Sequence, residues 1–148
     1  MTRFLLDTSC LVAAVCQWHE HHQATREELE RRRRARQALV MAAPALIEAY
    51  AVLTRLPPPH RLSPSDTLAL LEGNWGKADT VALSPIEYWR LLKLLPDAGV
   101  TGGQAYDAVI VACARKAGVE VLLTWNLAHF ARFQDDDLAI MAPAQALQ

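Results

Sequence analysis

The stretch that decides the fold of this chain is Phe4-Leu5-Leu6-Asp7-Thr8-Ser9, close to its start. The three apolar residues predict a short buried strand. The small oxygen-bearing side chains that follow can cap a helix, which the apolar residues 11–15 begin. A strand that runs directly into a helix is the opening unit of an α/β fold.

The same unit repeats along the chain. Residues 39–41 predict a second strand, and Pro44 suits the first turn of the helix after it. That helix ends before Pro57-Pro58-Pro59, which cannot continue it. The later predicted elements are a helix from Ser63 that ends at Gly73-Asn74, a strand over residues 80–83, a helix from Ser84, a helix over residues 104–117 capped by Gly118, and a strand over residues 119–124. This alternation predicts a three-layer α/β/α fold with a central parallel sheet.

The composition favours a single domain over residues 1–148 with a substantial core. Of the 148 residues, 52% are hydrophobic, and no Gly/Ser-rich or Pro-rich linker divides them. The formal net charge is -1, so contacts with a polyanion depend on local groups of Arg and Lys. No apolar run approaches the roughly 20 residues that span a bilayer. The three cysteines are an odd number without metal-ligand spacing, which favours reduced thiols and a cytoplasmic setting.

Three acidic residues, Asp7, Glu48 and Asp107, interrupt otherwise apolar stretches. A carboxylate in such a place loses its hydration and needs a partner. On a helix, the neighbours of Glu48 and Asp107 three and four positions away include no Lys or Arg. A bound cation would satisfy both carboxylates.

The predicted topology brings the three acids together. Asp7 follows the first strand, and Glu48 and Asp107 lie in the first turns of two later helices. Because the carboxyl ends of parallel strands line one edge of a sheet, the residues after them gather in a crevice. Oxygen ligands favour Mg²⁺ or Mn²⁺ over zinc. Taken singly, Asp7 also fits a helix cap, Glu48 an exposed helix position and Asp107 an acid that complements the helix dipole.

In combination these segments resemble the PIN-domain family, and within it the toxin branch called VapC, across nearly the whole chain. Four stretches carry the resemblance. They are Phe4-Leu5-Leu6-Asp7-Thr8-Ser9, Glu48-Ala49-Tyr50-Ala51-Val52-Leu53-Thr54-Arg55, Tyr106-Asp107-Ala108-Val109-Ile110-Val111-Ala112, and Leu122-Leu123-Thr124-Trp125-Asn126-Leu127-Ala128-His129-Phe130.

The resemblance implies an endoribonuclease in which Asp7, Glu48 and Asp107 bind Mg²⁺ or Mn²⁺ beside an RNA phosphodiester. It also implies two protein partners, namely a cognate antitoxin that obstructs the acidic pocket and a second copy of the toxin in a homodimer. A housekeeping PIN ribonuclease is the related alternative, and a gene for a small DNA-binding protein beside this one would separate the two.

One position departs from the family pattern. Many relatives have a fourth acid where this chain has Asn126, which can coordinate or hydrogen-bond but carries no negative charge. We expect Asn126 to join the catalytic set by positioning a ligand or the substrate. We expect Thr8, Ser9 and Thr124 to help position the substrate, although Thr124 and Asn126 also fit a simple turn.

Other features have ordinary explanations. His19 and His22 share a helix face, but a solvated helix start over these positions is the favoured interpretation. Residues 19–38 predict a long helix that faces solvent. Its cluster Arg31 to Arg34 with Arg36 suits either RNA phosphates or a solvated face balanced by nearby glutamates.

Two other functions remain open from the sequence. An acid directly after the first strand is also typical of phosphatases that form an aspartyl phosphate, although Thr8 and Ser9 follow Asp7 where a second aspartate is expected. A non-catalytic RNA-binding or protein-binding module is the second, because Asn126 could mark a site that has lost activity.

Overall fold

A computed structural model describes residues 1–143 and contains one five-stranded sheet in which every neighbouring pair is parallel. The strand order is β3-β2-β1-β4-β5. The strands are β1 (Arg3–Leu6), β2 (Ala38–Ala42), β3 (Asp79–Val81), β4 (Val121–Leu123) and β5 (Ala139–Met141). The strand that carries Asp7 at its end is therefore the central one. The single domain expected over residues 1–148 includes residues 144–148, which lie outside the described residues.

Helices connect the strands, and their ends follow the predicted capping chemistry. They are α1 (Thr8–Val15), α2 (His22–Arg34), α3 (Ala43–Thr54), α4 (Pro64–Trp75), α5 (Pro85–Leu94), α6 (Gln104–Lys116) and α7 (Leu127–Phe130), which a 3-10 turn over Ala131–Phe133 follows. Ser84 and Glu87 form a reciprocal capping box at the start of α5. Gly118, after α6, has φ of 67°, a conformation that favours glycine. No helix within residues 1–143 is long and apolar enough to cross a bilayer.

Both faces of the sheet are covered, which confirms the three-layer fold. Phe4, Leu5 and Leu6 are all buried, at 3%, 0% and 0% exposure. Successive side chains of a strand point to opposite faces, so burial of consecutive residues requires packing on both sides.

The predicted element bounds were wrong in several places, for local reasons. Helix α4 continues through Gly73-Asn74, because the Asn74 side chain donates to the Leu70 carbonyl within the helix instead of ending it. The strand expected over residues 80–83 is Asp79–Val81, and that expected over residues 119–124 is Val121–Leu123. Strand β5 was missed, because three residues without turn signals leave little periodicity to detect.

The helix predicted over residues 19–38 is present, but it is shorter than expected and one side of it is buried. Helix α2 is His22–Arg34, and it buries Glu28 and Arg32 at 2% and 8% exposure. The Arg32 Nε donates to Glu28 Oε1 at 2.8 Å, and its guanidinium lies 5.3 Å from the centre of the Phe4 ring. An ion pair in the core lets a charged helix pack against β1, which hydropathy alone does not reveal.

Glu28→Ala should destabilise the fold strongly, because it leaves the buried Arg32 guanidinium without its carboxylate. We expect the free energy of unfolding to fall by about 3 kcal/mol or more, measured by chemical denaturation. Glu30→Ala is the matched control on the same helix, since Glu30 pairs with Arg33 and Arg34 at an exposed position. An equal decrease in the free energy of unfolding for the two variants would show that the buried Glu28–Arg32 pair contributes no more to stability than an exposed pair does.

Candidate active site

A polar cavity of about 470 Å³ opens at the carboxyl edge of the sheet. It brings together the three acids that the sequence separates by dozens of positions. Its lining comprises Asp7, Thr8, Ser9, Val12, His19, Glu20, His21, Glu48, Val52, Asp107, Ile110, Trp125 and Asn126. The predicted convergence of Asp7, Glu48 and Asp107 on one crevice is therefore seen in the fold, while their roles stay predictions.

Asp7 lies at the base of the cavity, at the end of β1 and the start of α1. It is 2% exposed, and burial raises the pKa of its carboxyl group. Its Oδ1 accepts hydrogen bonds from Ser9 Oγ at 2.7 Å and from the Cys10 amide at 2.9 Å, and its Oδ2 accepts one from Thr124 Oγ1 at 2.5 Å. Asp7 thus caps α1 and also faces the cavity, so the two explanations of this residue coexist.

Ser9 and Thr124 hold Asp7 and connect it to the end of β4. Both hydroxyls donate to the Asp7 carboxylate. The Ser9 oxygen also accepts the Trp125 amide, and the Thr124 oxygen accepts the Asn126 amide, each at 2.9 Å. The substrate-positioning role expected of Ser9 and Thr124 stays a prediction, and what their contacts establish is the orientation of Asp7.

Glu48 and Asp107 lie on α3 and α6, and both are half-buried. Burial raises the pKa of Glu48, with a further contribution from the negative charge of Asp107, while a hydrogen bond from Thr8 Oγ1 at 3.3 Å opposes it. Burial and the negative charge of Asp7 raise the pKa of Asp107. The three carboxyl groups are thus electrostatically coupled and each is costly to ionise.

The cavity suits a cation by its chemistry. No Lys or Arg lines it, and none of the three acids forms an ion pair within residues 1–143. In that part of the chain no three His, Cys, Asp or Glu side chains are close enough together to hold a metal ion. Asp7, Glu48 and Asp107 therefore share a cavity without forming a closed ligand cluster.

Asn126 is exposed at the rim of this cavity, directly after the Trp125 indole. The backbone N–H of Asn126 donates to Thr124 Oγ1. The same hydroxyl that holds Asp7 therefore fixes the backbone at Asn126. The position is compatible with the expected positioning role, which stays a prediction.

Two histidines were missed as site residues. His19 and His21 line the cavity, because the residues before α2 form turns over its mouth instead of a helix. His21 stacks on Trp125 with ring centres 3.8 Å apart and planes 6° apart. His22, by contrast, contacts the Ala13 carbonyl at 2.8 Å and fastens α2 to α1. Spacing along a helix could not reveal that His19 and His21 line the cavity, since both residues precede the helix.

The arginine cluster balances glutamates on its own helix. Arg31 and Arg32 contact Glu28, and Arg33 and Arg34 contact Glu30. None of these arginines lines the acidic cavity. Arg33 and Arg34 thus lie on a solvated helix face balanced by Glu30, as one of the two interpretations expected, while Arg32 belongs to the core.

Fold and site together define an α/β protein with an acid-lined crevice at the carboxyl edge of a parallel sheet. A model of the PIN domain family matches residues 4–135. Ribonuclease VapC40 of Mycobacterium tuberculosis is 40% identical over 116 residues, which cover 78% of this chain and 81% of that protein. Ribonuclease VapC27 of the same organism is 32% identical over 117 residues, covering 79% and 73% of the two chains.

A solved structure agrees in fold. VapBC2 from Rickettsia felis, bound to a DNA fragment from their promoter, matches with a TM-score of 0.68 and 17% identity, over 94% of this chain and 97% of that chain. The chain belongs to the PIN-domain family, and within it to the branch of the VapC ribonucleases. The resemblance drawn from the four sequence stretches is confirmed.

The raised pKa values predict how stability depends on pH. When the pKa of Asp107 is higher in the folded chain, the folded state keeps a proton that the unfolded state has released. Stability is then lost as pH rises from the ordinary aspartate pKa through the raised folded value. Asp107→Asn should remove this loss of stability. The free energy of unfolding of the parent, relative to that of the variant, should therefore fall as pH rises. Chemical denaturation in the presence of a chelator measures this difference.

Asp135→Asn is the control with the opposite sign. A hydrogen bond from the Asp137 amide lowers the pKa of Asp135, so its contribution is present at higher pH and disappears as pH falls. The same slope for both substitutions would contradict a raised pKa of Asp107 in the folded chain.

Proposed function

We propose that this chain is a divalent-metal-dependent endoribonuclease and the toxin of a toxin-antitoxin pair. The observation that carries the proposal is the single cavity in which Asp7, Glu48 and Asp107 meet, with no Lys or Arg of residues 1–143 in its lining. The relatives named Ribonuclease VapC40 and VapC27 support the choice of RNA. RNA as substrate and three free cysteines among the described residues both support a cytoplasmic location.

Asp7, Glu48 and Asp107 are the residues that would hold the metal. PIN ribonucleases need a divalent ion, and the oxygen donors here favour Mg²⁺ or Mn²⁺. When bound, such an ion supplies Lewis-acid stabilisation of a phosphodiester and lowers the pKa of water. Because burial opposes ionisation of all three carboxyl groups, metal binding should release protons.

The chain's own residues supply rigidity and proton transfer. Ser9, Thr124 and the Cys10 amide hold Asp7 in one orientation, whereas Glu48 accepts only the longer bond from Thr8. Hydrolysis requires the attacking water to lose a proton, and a carboxylate oxygen of the site that is not bound to the metal would accept it. Glu48 and Asp107 are half-buried and are held by fewer hydrogen bonds than Asp7, so these two residues are the candidates for that role.

The aspartyl-phosphate phosphatase alternative lacks support in the site. Its chemistry needs a second aspartate close to the first along the chain. Here the residue two positions after Asp7 is Ser9, whose hydroxyl is bonded to the Asp7 carboxylate. A non-catalytic binding module is the alternative that the following experiment addresses.

Asp107→Asn keeps the size of the side chain and deletes one charge of the cavity. We expect cleavage of a mixed RNA panel in Mg²⁺ or Mn²⁺ to fall by roughly a hundredfold or more, with equal or greater thermal stability of the metal-free variant. Added metal should raise the melting temperature of the parent more than that of the variant. Chelation should stop cleavage by the parent.

Asp66→Asn is the matched control, since Asp66 is also an acid in the first turn of a helix but is exposed and outside the cavity. It should leave cleavage and metal stabilisation unchanged. Full activity of Asp107→Asn would remove Asp107 from the site. Absence of cleavage by the parent across the panel would favour the binding module.

An apolar groove between α3 and α4 suits the antitoxin. It measures about 330 Å³, and its walls are Leu46, Ile47, Tyr50, Leu68, Leu71, Glu72, Trp75, Gly76 and Thr80. Ile47 and Leu68 are 72% and 54% exposed, although both are large and apolar. Ile47 of this groove and Glu48 of the acidic cavity both line a third cavity. A segment that continues from the groove through this third cavity would reach the acids, which would explain inhibition. The homodimer implied by the resemblance stays a prediction, to be tested by sedimentation of the isolated chain.

Leu68→Asp should weaken the antitoxin complex and leave the RNA site intact, because a carboxylate in an apolar groove loses its hydration. We expect loss of co-purification with the protein encoded beside this gene, and loss of neutralisation, with unchanged RNA cleavage. Leu94→Asp is the control, since Leu94 is 67% exposed and outside this groove. A neighbouring gene product that never binds the parent would indicate a housekeeping PIN ribonuclease.

A further inference from the structure

His21 belongs to the lining of the acidic cavity, although it lies outside the segments that carry the three acids. Its ring stacks on Trp125 with ring centres 3.8 Å apart and planes 6° apart. The Trp125 amide donates to Ser9 Oγ at 2.9 Å, and the same hydroxyl donates to Asp7 Oδ1 at 2.7 Å. Direct contacts therefore lead from the His21 ring to the carboxylate at the base of the cavity.

The backbone of the turn before α2 holds the His21 ring in this place. The His21 carbonyl accepts the Thr25 hydroxyl at 2.7 Å, and the oxygen of that hydroxyl accepts Trp125 Nε1 at 2.9 Å. The His21 amide donates to His19 Nδ1 at 3.0 Å. These bonds use backbone atoms of His21, so the side chain can be replaced without breaking them.

Glu20 lies beside the His21 ring and faces solvent. Its Oε1 is 3.5 Å from His21 Nε2, and its side chain is 82% exposed. A carboxylate in this place can carry protons between solvent and the ring. The other titratable side chains that line the same cavity are His19, Asp7, Glu48 and Asp107.

Cutting a phosphodiester leaves a basic ribose oxygen, which a proton donor stabilises. Within residues 1–143, no Lys, Arg, Tyr or Cys lines the cavity. In the proposed reaction Asp7, Glu48 and Asp107 hold the metal or accept a proton. Histidine is the side chain that gains and loses a proton near neutral pH, so the donor is to be sought among the histidines of the lining.

His19 is the less suitable of the two histidines that line the cavity. Burial lowers the pKa of its ring, with a smaller contribution from His21. Its Nδ1 accepts the His21 amide, so this nitrogen carries no proton. A neutral imidazole is a far weaker acid than an imidazolium. His21 is therefore the histidine left to donate a proton.

We propose that His21 is the general acid that protonates the ribose oxygen released when the RNA backbone is cut. The inference rests on the proposed ribonuclease function and adds a residue from outside the acidic set. A bond forms between phosphorus and the oxygen of water, and the bond between phosphorus and the ribose oxygen breaks. The ribose oxygen takes the proton of the His21 ring, and Glu48 or Asp107 takes the proton that water loses. That carboxyl group then releases its proton to solvent, and solvent returns one to His21 through Glu20, so one water is consumed.

The first test compares two substitutions of His21 with His60→Gln. His60 is the matched control, because it also stacks on a tryptophan, Trp18, at 4.1 Å, but is exposed and outside the lining. His21→Gln removes the acid and the ring, whereas His21→Phe removes only the acid. Both should lower kcat roughly a hundredfold or more at nearly constant KM, the usual size of general acid catalysis. His60→Gln should change neither constant.

A parent-like kcat for His21→Phe would show that the ring only stacks on Trp125, and it would overturn the proposal. The pH dependence gives a second readout that a structural role does not change. Because a general acid must be protonated, kcat of the parent should fall as pH rises through the titration of a histidine. His21→Gln should lack this fall, and a variant that keeps it would overturn the proposal.

A substrate that needs no proton donor gives the sharpest test. Where sulfur replaces the ribose oxygen that leaves, the product is a thiolate, which departs without a proton because thiols have a pKa of about 8.5. The parent and His21→Gln should cleave this RNA at similar rates, although they differ roughly a hundredfold on ordinary RNA. An equal loss on both substrates would assign His21 to another role.

Metal binding keeps the role of His21 separable from the ribonuclease function. Added Mg²⁺ or Mn²⁺ should raise the melting temperature of the parent and of His21→Gln equally, and a smaller rise in the variant would make His21 a metal ligand instead of the acid. A parent that cleaves RNA no faster than His21→Gln would refute the acid and leave the ribonuclease function standing. A parent that cleaves no RNA with either metal would refute the function and the acid together.

Discussion

The buried carboxylate of Asp7 is the constraint on which the rest of this structure depends. It sits at the end of the central strand, where sheet, α1 and cavity meet, and is only 2% exposed. Such a group has to be compensated locally, and Ser9, Thr124 and the Cys10 amide do so. These bonds also tie the end of β1 to the end of β4, so satisfying one carboxylate sets the backbone from which Trp125 and Asn126 are presented to the cavity.

The charges of the molecule are divided between two places with different consequences. On α2, carboxylates and guanidinium groups neutralise each other, and the pair of Glu28 with Arg32 lets a polar helix pack on the sheet. In the cavity, burial raises the pKa of Asp7, Glu48 and Asp107. The charge of Asp107 adds to this effect at Glu48, and the charge of Asp7 adds to it at Asp107, while no Lys or Arg of residues 1–143 lines the cavity. The excess of negative charge at this one edge makes a divalent cation a fitting ligand for the cavity.

Much of the fold followed from local chemistry. Strands β1 and β2, helices α3 and α6, and the caps at Ser63, Ser84 and Gly118 agree with expectations from periodicity and capping. Strand β5 and the inward face of α2 did not, because the first is too short to show a period and the second is buried by a pairing of charges. A pattern of hydropathy therefore predicts neither β5 nor the buried face of α2.

By itself the sequence determined the order of β1 to β4 and α1 to α6, the parallel sheet and the three acids that share a crevice. The acids could be predicted to meet because parallel topology places the ends of neighbouring strands on one edge. Only the tertiary structure decided what surrounds those acids. His19 and His21 come from a turn before α2, and Trp125 comes from the far end of the chain, so their rings meet through long-range packing that no spacing rule encodes. The hydroxyls of Ser9 and Thr124 both donate to the Asp7 carboxylate although they are far apart in sequence. The sequence alone could not predict this shared partner, since a hydrogen bond across the sheet depends on strand order and register.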